Sequence, residues 1–335
     1  MTLAPFRIHG FVLAAALAAL AAAGSRAAEP ASIADVLSSV VGVRSEVPED
    51  ARTAHSLGTR REGSGIVIGA DGLVLTIGYL ILEASSTEII GADGHAVPAA
   101  IVGYDHNTGF GLLRAKEPLD LKPVEFGDSS ALSQGDLVLA VSYGGAHPVV
   151  ATRVVSRRTF AGYWEYLLEN AIFTSPPHFQ YGGAALIGED GRLLGIGSLM
   201  VNDAVREPAP VPGNMFVPID GLKPILQELV ENARPSRPSH PWLGLYTDEA
   251  KGRVFVTRTA SNGPAEKAGI KAGDIIIGVD GRRVSGMTDF FRKVWAVGDA
   301  GVEVPIDVLP LGTEDFTIER VMIRSRDRYH WLKLN

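Results

Sequence analysis

Hydrolytic or metal chemistry in this chain has few places to come from. There is no cysteine among the 335 residues. Thiol nucleophiles and thiolate metal sites are therefore both excluded. The histidines that could act as bases are scattered. His95 follows the turn Asp93-Gly94 and reads as solvated, and His106 sits in a polar loop. His147 lies between Gly144-Gly145 and Pro148 and reads as loop packing, while His178 stands close to Ser175. Ser64, Ser142, Ser175 and Ser198 are the serines that a relocated nucleophile would use. A serine nucleophile needs an adjacent base, and that base needs an orienting carboxylate. Ser175 and His178 are separated by Pro176-Pro177, which enforces an extended run and works against a dyad. Asp71 and Asp190 each precede glycine and read as hairpin turn residues. No HExxH, P-loop or Rossmann glycine pattern occurs, so neither a metal nor a cofactor is expected.

The elements that must position any site are short strands. The chain carries 38 glycines and 20 prolines, a turn-rich balance that suits β architecture. From Gly63 onward, apolar runs alternate with Asp-Gly and Gly-Gly turns: Ile66-Val-Ile, Leu73-Val-Leu-Thr, Glu88-Ile-Ile, Leu137-Val-Leu-Ala-Val, Val149 to Val155 and Leu193-Leu-Gly-Ile. Many short strands at close spacing predict a barrel or sandwich. Before them, Ala31 to Leu37 reads as a short helix and Ser39 to Val43 as a first strand. Ser45 to Arg61 reads as a loose polar loop. Ile219 to Val230 is apolar at helical spacing and predicts a helix closing the first domain. Arg234 to Pro241 holds three prolines, and residues 233–240 read as a semi-rigid linker. A second domain then occupies 241–335, with a helix expected over Asp289 to Val297 that places Phe290, Phe291 and Val294 on one face.

The first 28 residues read as a signal peptide. Phe11 to Ala23 is an unbroken apolar run, followed by the small residues around Ala27 and Ala28. The run is short for a membrane span, although an uncleaved N-terminal anchor is the alternative. The expected location is periplasmic or secreted. The net charge is −7, and removing the leader with Arg7 and Arg26 makes the chain more acidic. With no basic stripe, nucleic acid is excluded as a partner.

Two groups of motifs carry a family resemblance. Asn262 to Val284, NGPAEKAGIKAGDIIIGVDGRRV, closely resembles the PDZ domain of bacterial envelope proteases. Gly63-Ser-Gly-Ile-Val-Ile, Asp71 to Thr76, Asp105 to Arg114, Phe126 to Ser129, Gly135 to Val141 and Tyr181 to Leu186 resemble, in order and spacing, the two barrels of HtrA-type serine proteases. The fold this implies is mainly β: a trypsin-like double β-barrel over 29–232 followed by a PDZ domain.

The resemblance also assigns positions. It places Tyr79 where the family has its histidine, Gly109 where it has the acid, and Tyr181 where it has the serine. None of these three can do the triad's work. A phenol is a poor base at neutral pH, and glycine offers no acceptor. The run Thr174 to Gln180 lacks the Gly-Asn that precedes the family's serine. The expectation is therefore a catalytically degenerate protein, its tyrosines either plugging the old cleft or lining a peptide groove. In the second domain the resemblance makes Trp242-Leu243-Gly244-Leu245 a carboxylate-binding loop, with Phe290 and Val294 beside the bound peptide. Trp242 and Trp295 are large enough to fill that groove from within. Expected partners are peptide C-termini or unfolded envelope proteins, with a homotrimer through residues 31–44 or association with active relatives as further roles. The alternatives are a working serine endopeptidase in envelope quality control and a structural subunit of a trimeric assembly.

Overall fold

The computed structural model describes residues 33–312 and 317–332, and the expected leader, residues 1–28, lies outside them. Helix α1 (Ile33–Ser39) runs into β1 (Val40–Glu46), and α2 (Ala54–Leu57) follows. Then come β2 (Arg60–Val67), β3 (Leu73–Ile77), β4 (Ser86–Ile90), β5 (Ala96–Tyr104) and β6 (Phe110–Ala115). They close into a barrel in the order β1-β2-β3-β6-β5-β4. A second barrel, in the order β10-β11-β12-β9-β8-β7, is formed by β7 (Leu137–Val141), β8 (Val149–Gly162), β9 (Tyr166–Ser175), β10 (Ala185–Ile187), β11 (Leu193–Val205) and β12 (Val211–Pro218). Closure leaves neither barrel an exposed strand edge. The turn glycines Gly72 and Gly191 sit at φ +76, a conformation that side chains with a Cβ rarely adopt. One apolar core spans both barrels, from Val41, Ile66 and Phe110 to Phe173, Ile196 and Val217.

The helix expected over Ile219 to Val230 is broken. A 3-10 turn at Ile219–Gly221 comes first, and the α-helix, α3, covers only Leu226–Asn232. Pro224 lies between them, with no N–H to donate and a ring that would crowd a preceding turn. The loop expected over Ser45 to Arg61 is also shorter and better packed than its polarity suggested. β1 runs to Glu46, β2 starts at Arg60, and Val47, Ala51 and Ala54 bury themselves against Ala84.

The second domain holds β13 (Leu245–Ala250), β14 (Arg253–Thr259), α4 (Pro264–Lys267), β15 (Ile275–Val279), β16 (Arg282–Arg283), α5 (Met287–Trp295), β17 (Glu303–Leu309), β18 (Glu319–Arg324) and α6 (Arg328–Trp331). Its sheet runs β13-β14-β15-β17-β18, with β16 paired only to β15. Helix α5 starts two residues before the expected Asp289 and buries Met287, Phe290, Phe291 and Val294. Among the described residues no helix is long and apolar enough to cross a membrane.

The proline-rich linker is tied to the barrel rather than free. Arg237 Nη2 donates to both oxygens of Asp105, at 2.7 and 2.8 Å. Asp105 is buried at 1% exposure and also accepts from the Thr108 backbone N and Oγ1. The His240 ring stacks on Trp295 with centroids 4.3 Å apart. A charge-assisted hydrogen bond contributes about 1.5–3 kcal/mol. Asp105→Ala should therefore speed proteinase K cleavage within residues 233–240 by roughly tenfold or more. Limited proteolysis with mass mapping checks this, and an unchanged rate would mean the linker is held without Asp105.

Candidate functional site

Strand β3 delivers Tyr79 on the turn that follows Ile77. That turn is fixed from beneath by Arg61, which the polar sequence around it had placed on the surface. Arg61 is buried, and its Nη1 donates to the carbonyls of Tyr79 and Leu82 at 2.9 and 2.8 Å. Its Nη2 donates to Thr53 Oγ1 at 2.8 Å. Burial lowers this guanidinium to about 10, which still leaves it charged at neutral pH. The same turn meets the loop before β6, where Gly78 N donates to Gly109 O at 2.7 Å. Across the seam between the barrels, Tyr79 Oη donates to Ser198 O on β11 at 2.9 Å. A Cβ added at Gly182, next to Tyr181, would meet Tyr79 Oη at 2.9 Å.

Tyr79, Gly109 and Tyr181 therefore line one cleft of about 280 Å³. Its other walls include Tyr104, Tyr163, Trp164, Tyr166, Tyr246 and Arg328. Burial, reinforced by the neighbouring Tyr181, holds the Tyr79 phenol above the ordinary tyrosine range. At neutral pH Tyr79 is a proton donor in a structural bond, not a base. Gly109 has φ +82, so any side chain placed there would be strained, and its Cβ would lie 3.6 Å from Tyr166 Oη.

Ser198 also lines the cleft, and five of the other candidate residues are engaged elsewhere. His178 Nδ1 accepts from Gln180 N at 3.0 Å, and its backbone exchanges hydrogen bonds with the Asn214 amide. Ser175 Oγ donates to Pro212 O, and Ser64 Oγ accepts from Tyr143 N. Ser142 Oγ reaches Gln180 Oε1 at 3.3 Å. His106 is enclosed by Tyr104 and Tyr329, with ring centroids 4.6 and 4.2 Å away, and burial holds its pKa well below the usual histidine range. Among the described residues no serine hydroxyl is hydrogen-bonded to a histidine ring, and no cluster of His, Asp and Glu could hold a metal ion.

In the second domain Leu243, Leu245, Phe290 and Val294 share one buried cluster, Trp242 packs in a separate one, and the space beside the loop is filled. The filler is the tip of the β8–β9 hairpin. Gly162 pairs with Tyr166, which leaves Tyr163-Trp164-Glu165 as a three-residue turn. Glu165 occupies the left-handed position at φ +57, where such turns favour glycine. Its carboxylate accepts from Leu243 N at 2.9 Å through Oε2 and from Leu245 N at 2.7 Å through Oε1. Thr247 N donates to Tyr163 O at 2.9 Å. Leu167 is buried in the second domain's core with Leu243, Leu245, Phe290 and Val294.

Trp242 and Trp295, large enough to fill the groove, do not have that role. Trp242 packs on Trp331, and Trp295 stacks on His240. Glu165 and Leu167 went unnoticed in the sequence. The one local signal was an acidic residue at a hairpin position that favours glycine. Burial raises the Glu165 carboxyl from its ordinary 4.5 to about 7, against the lowering effect of the backbone N–H donors.

Residues 63–196 match the trypsin-like peptidase domain family, and residues 241–314 match the PDZ domain family. The serine protease Do-like HtrA of Bacillus subtilis (strain 168) is 27% identical over 283 residues, covering 75% of this chain and 61% of that protein. The probable periplasmic serine endoprotease DegP-like of Bartonella henselae is 29% identical over 281 residues, covering 78% and 53%. The periplasmic serine endoprotease DegP of Escherichia coli (strain K12) is 28% identical over 239 residues, covering 67% and 49%. The chain thus spans about half to three-fifths of the length of these relatives. A solved structure titled HtrA-type protease AlgWS227A with tripeptide shares the fold at TM-score 0.54 and 19% identity, covering 88% of this chain and 96% of that one.

Two outcomes follow from this geometry. The docked Glu165 has a raised pKa, so its contribution is fully present below pH 4.5 and is lost as pH rises through about 7. Thermal melts of the wild type minus those of Glu165→Gln should fall across that window and stay flat above it, and a difference that does not change with pH would contradict the burial of this carboxyl. The triple substitution Tyr79→His, Gly109→Asp, Tyr181→Ser should not yield a protease. The Asp would sit at a strained backbone position, and the run from Ser175 to Gln180 keeps its present geometry. Cleavage of an unfolded substrate by the triple variant would show that the loop is competent after all.

Proposed function

The chain belongs to the HtrA family, with a trypsin-like peptidase domain ahead of a PDZ domain, and on that premise we propose that it acts in the cell envelope as a non-hydrolytic binder of peptide ends or unfolded chains. One observation carries this reading. The cleft where the family's triad would lie is lined by Tyr79, Gly109 and Tyr181. Acyl transfer needs a nucleophile whose proton can pass to a base, and the losses here are worth about a million-fold in turnover. What remains is an aromatic cleft and a loop whose backbone N–H groups suit a carboxylate. Binding of chain ends would serve a chaperone, an adaptor or a modulator of active relatives. The envelope location rests on relatives named as periplasmic and on the leader-like start of the sequence.

A second reading is a working serine endopeptidase. The names of the relatives favour it over the first, since they are called serine proteases and endoproteases. Against it stand the residues at the three positions and the absence, among the described residues, of a serine–histidine hydrogen bond. The two readings part on one experiment. The mature protein should take no label from a fluorophosphonate probe and should not cleave unfolded casein above background. A labelled serine, located by mass spectrometry, would establish the endopeptidase instead.

A further inference from the structure

Three contacts made by Tyr163 to Leu167 repeat those by which a PDZ groove takes a peptide end. A carboxylate sits on two backbone N–H groups of the loop, those of Leu243 and Leu245. A backbone carbonyl, that of Tyr163, takes the N–H of Thr247 on β13. An apolar side chain, Leu167, enters the core beside α5. Recognition of an external C-terminus uses the same three elements: a carboxylate on a backbone nest, strand-like hydrogen bonds and one apolar pocket. Here the carboxylate belongs to a side chain within a hairpin.

We propose that Glu165 is a built-in ligand of the carboxylate loop, and that a peptide ending in a free carboxylate on an apolar residue binds there only by displacing it. The inference rests on the peptide-binding reading above. Its physical basis is exclusion, because the N–H groups of Leu243 and Leu245 cannot serve two carboxylates at once. The docked state is reinforced outside the groove by the ion pair between Arg292 of α5 and Glu169 of β9. It is opposed by the left-handed backbone at Glu165 and by the cost of burying a carboxylate. An occupant held by opposing terms of this kind can be outcompeted. If one molecule in ten is open at any moment, the apparent affinity for the external peptide falls about tenfold.

The test uses the full mature chain and a fluorescein-labelled decapeptide ending in Ala-Leu, as the free acid and as the amide. Anisotropy titrations would compare the wild type with Glu165→Ala and Glu165→Gln. Glu165→Ala should bind the free acid at least tenfold more tightly than the wild type does, with no gain for the amide. Glu165→Gln keeps the shape but offers one acceptor and no charge, so it should fall between the two. It carries the test if the alanine variant does not fold. Equal affinity of all three proteins for the acid peptide would overturn the inference and leave the peptide-binding reading standing. Folded variants that bind no member of a C-terminal peptide library would overturn that reading, and the inference with it.

Discussion

The carboxylate of Glu165 on the backbone N–H groups of Leu243 and Leu245 is the contact around which the two halves of this molecule are arranged. It lies at the end of a long β8–β9 ribbon that leaves the second barrel and enters the neighbouring domain. Asp105, accepting from Arg237, anchors the linker in the same way. Each is a buried carboxyl group whose burial would cost more without its donors. Arg237 stays partly exposed, so solvent screens its pair with Asp105 more than it does the Glu165 contact. The turn that carries Glu165 also supplies Tyr163 and Trp164 to the tyrosine-lined cleft, with Tyr166 just beyond it on β9. One hairpin thus walls the cleft on one side and fills the groove on the other.

The cleft itself follows from short-range packing. Arg61 fixes the turn of Tyr79, Gly78 ties that turn to Gly109, and Tyr79 reaches the strand beyond Tyr181. The result is a site with aromatic surface and hydroxyl groups.

The strands and the two-domain division were legible in the sequence because short apolar runs and Asp-Gly turns are local signals. The spacing of the matched segments was enough to bring Tyr79, Gly109 and Tyr181 to one place. Other features depend on partners far along the chain and left no local mark. Arg61 lies within a polar stretch, and only its contacts with Thr53, Tyr79 and Leu82 show why it is buried. The linker's composition shows a semi-rigid segment but not its anchor, because Asp105, which holds it, is 132 residues away. Glu165 and the loop it occupies are 78 and 80 residues apart. Pro224 was a local signal that apolar periodicity outweighed, and the helix there breaks as a proline requires.

The occupied carboxylate loop is tested most directly by amide hydrogen exchange at Leu243 and Leu245 in the peptide-free full-length protein, compared with Glu165→Ala. Both amides should be strongly protected in the wild type and should exchange faster by an order of magnitude or more in the variant, while core amides such as Val256 and Ile276 keep their rates. Equal and rapid exchange at both positions in the two proteins would mean that the loop is open in solution, and that Glu165 does not hold the domains as described.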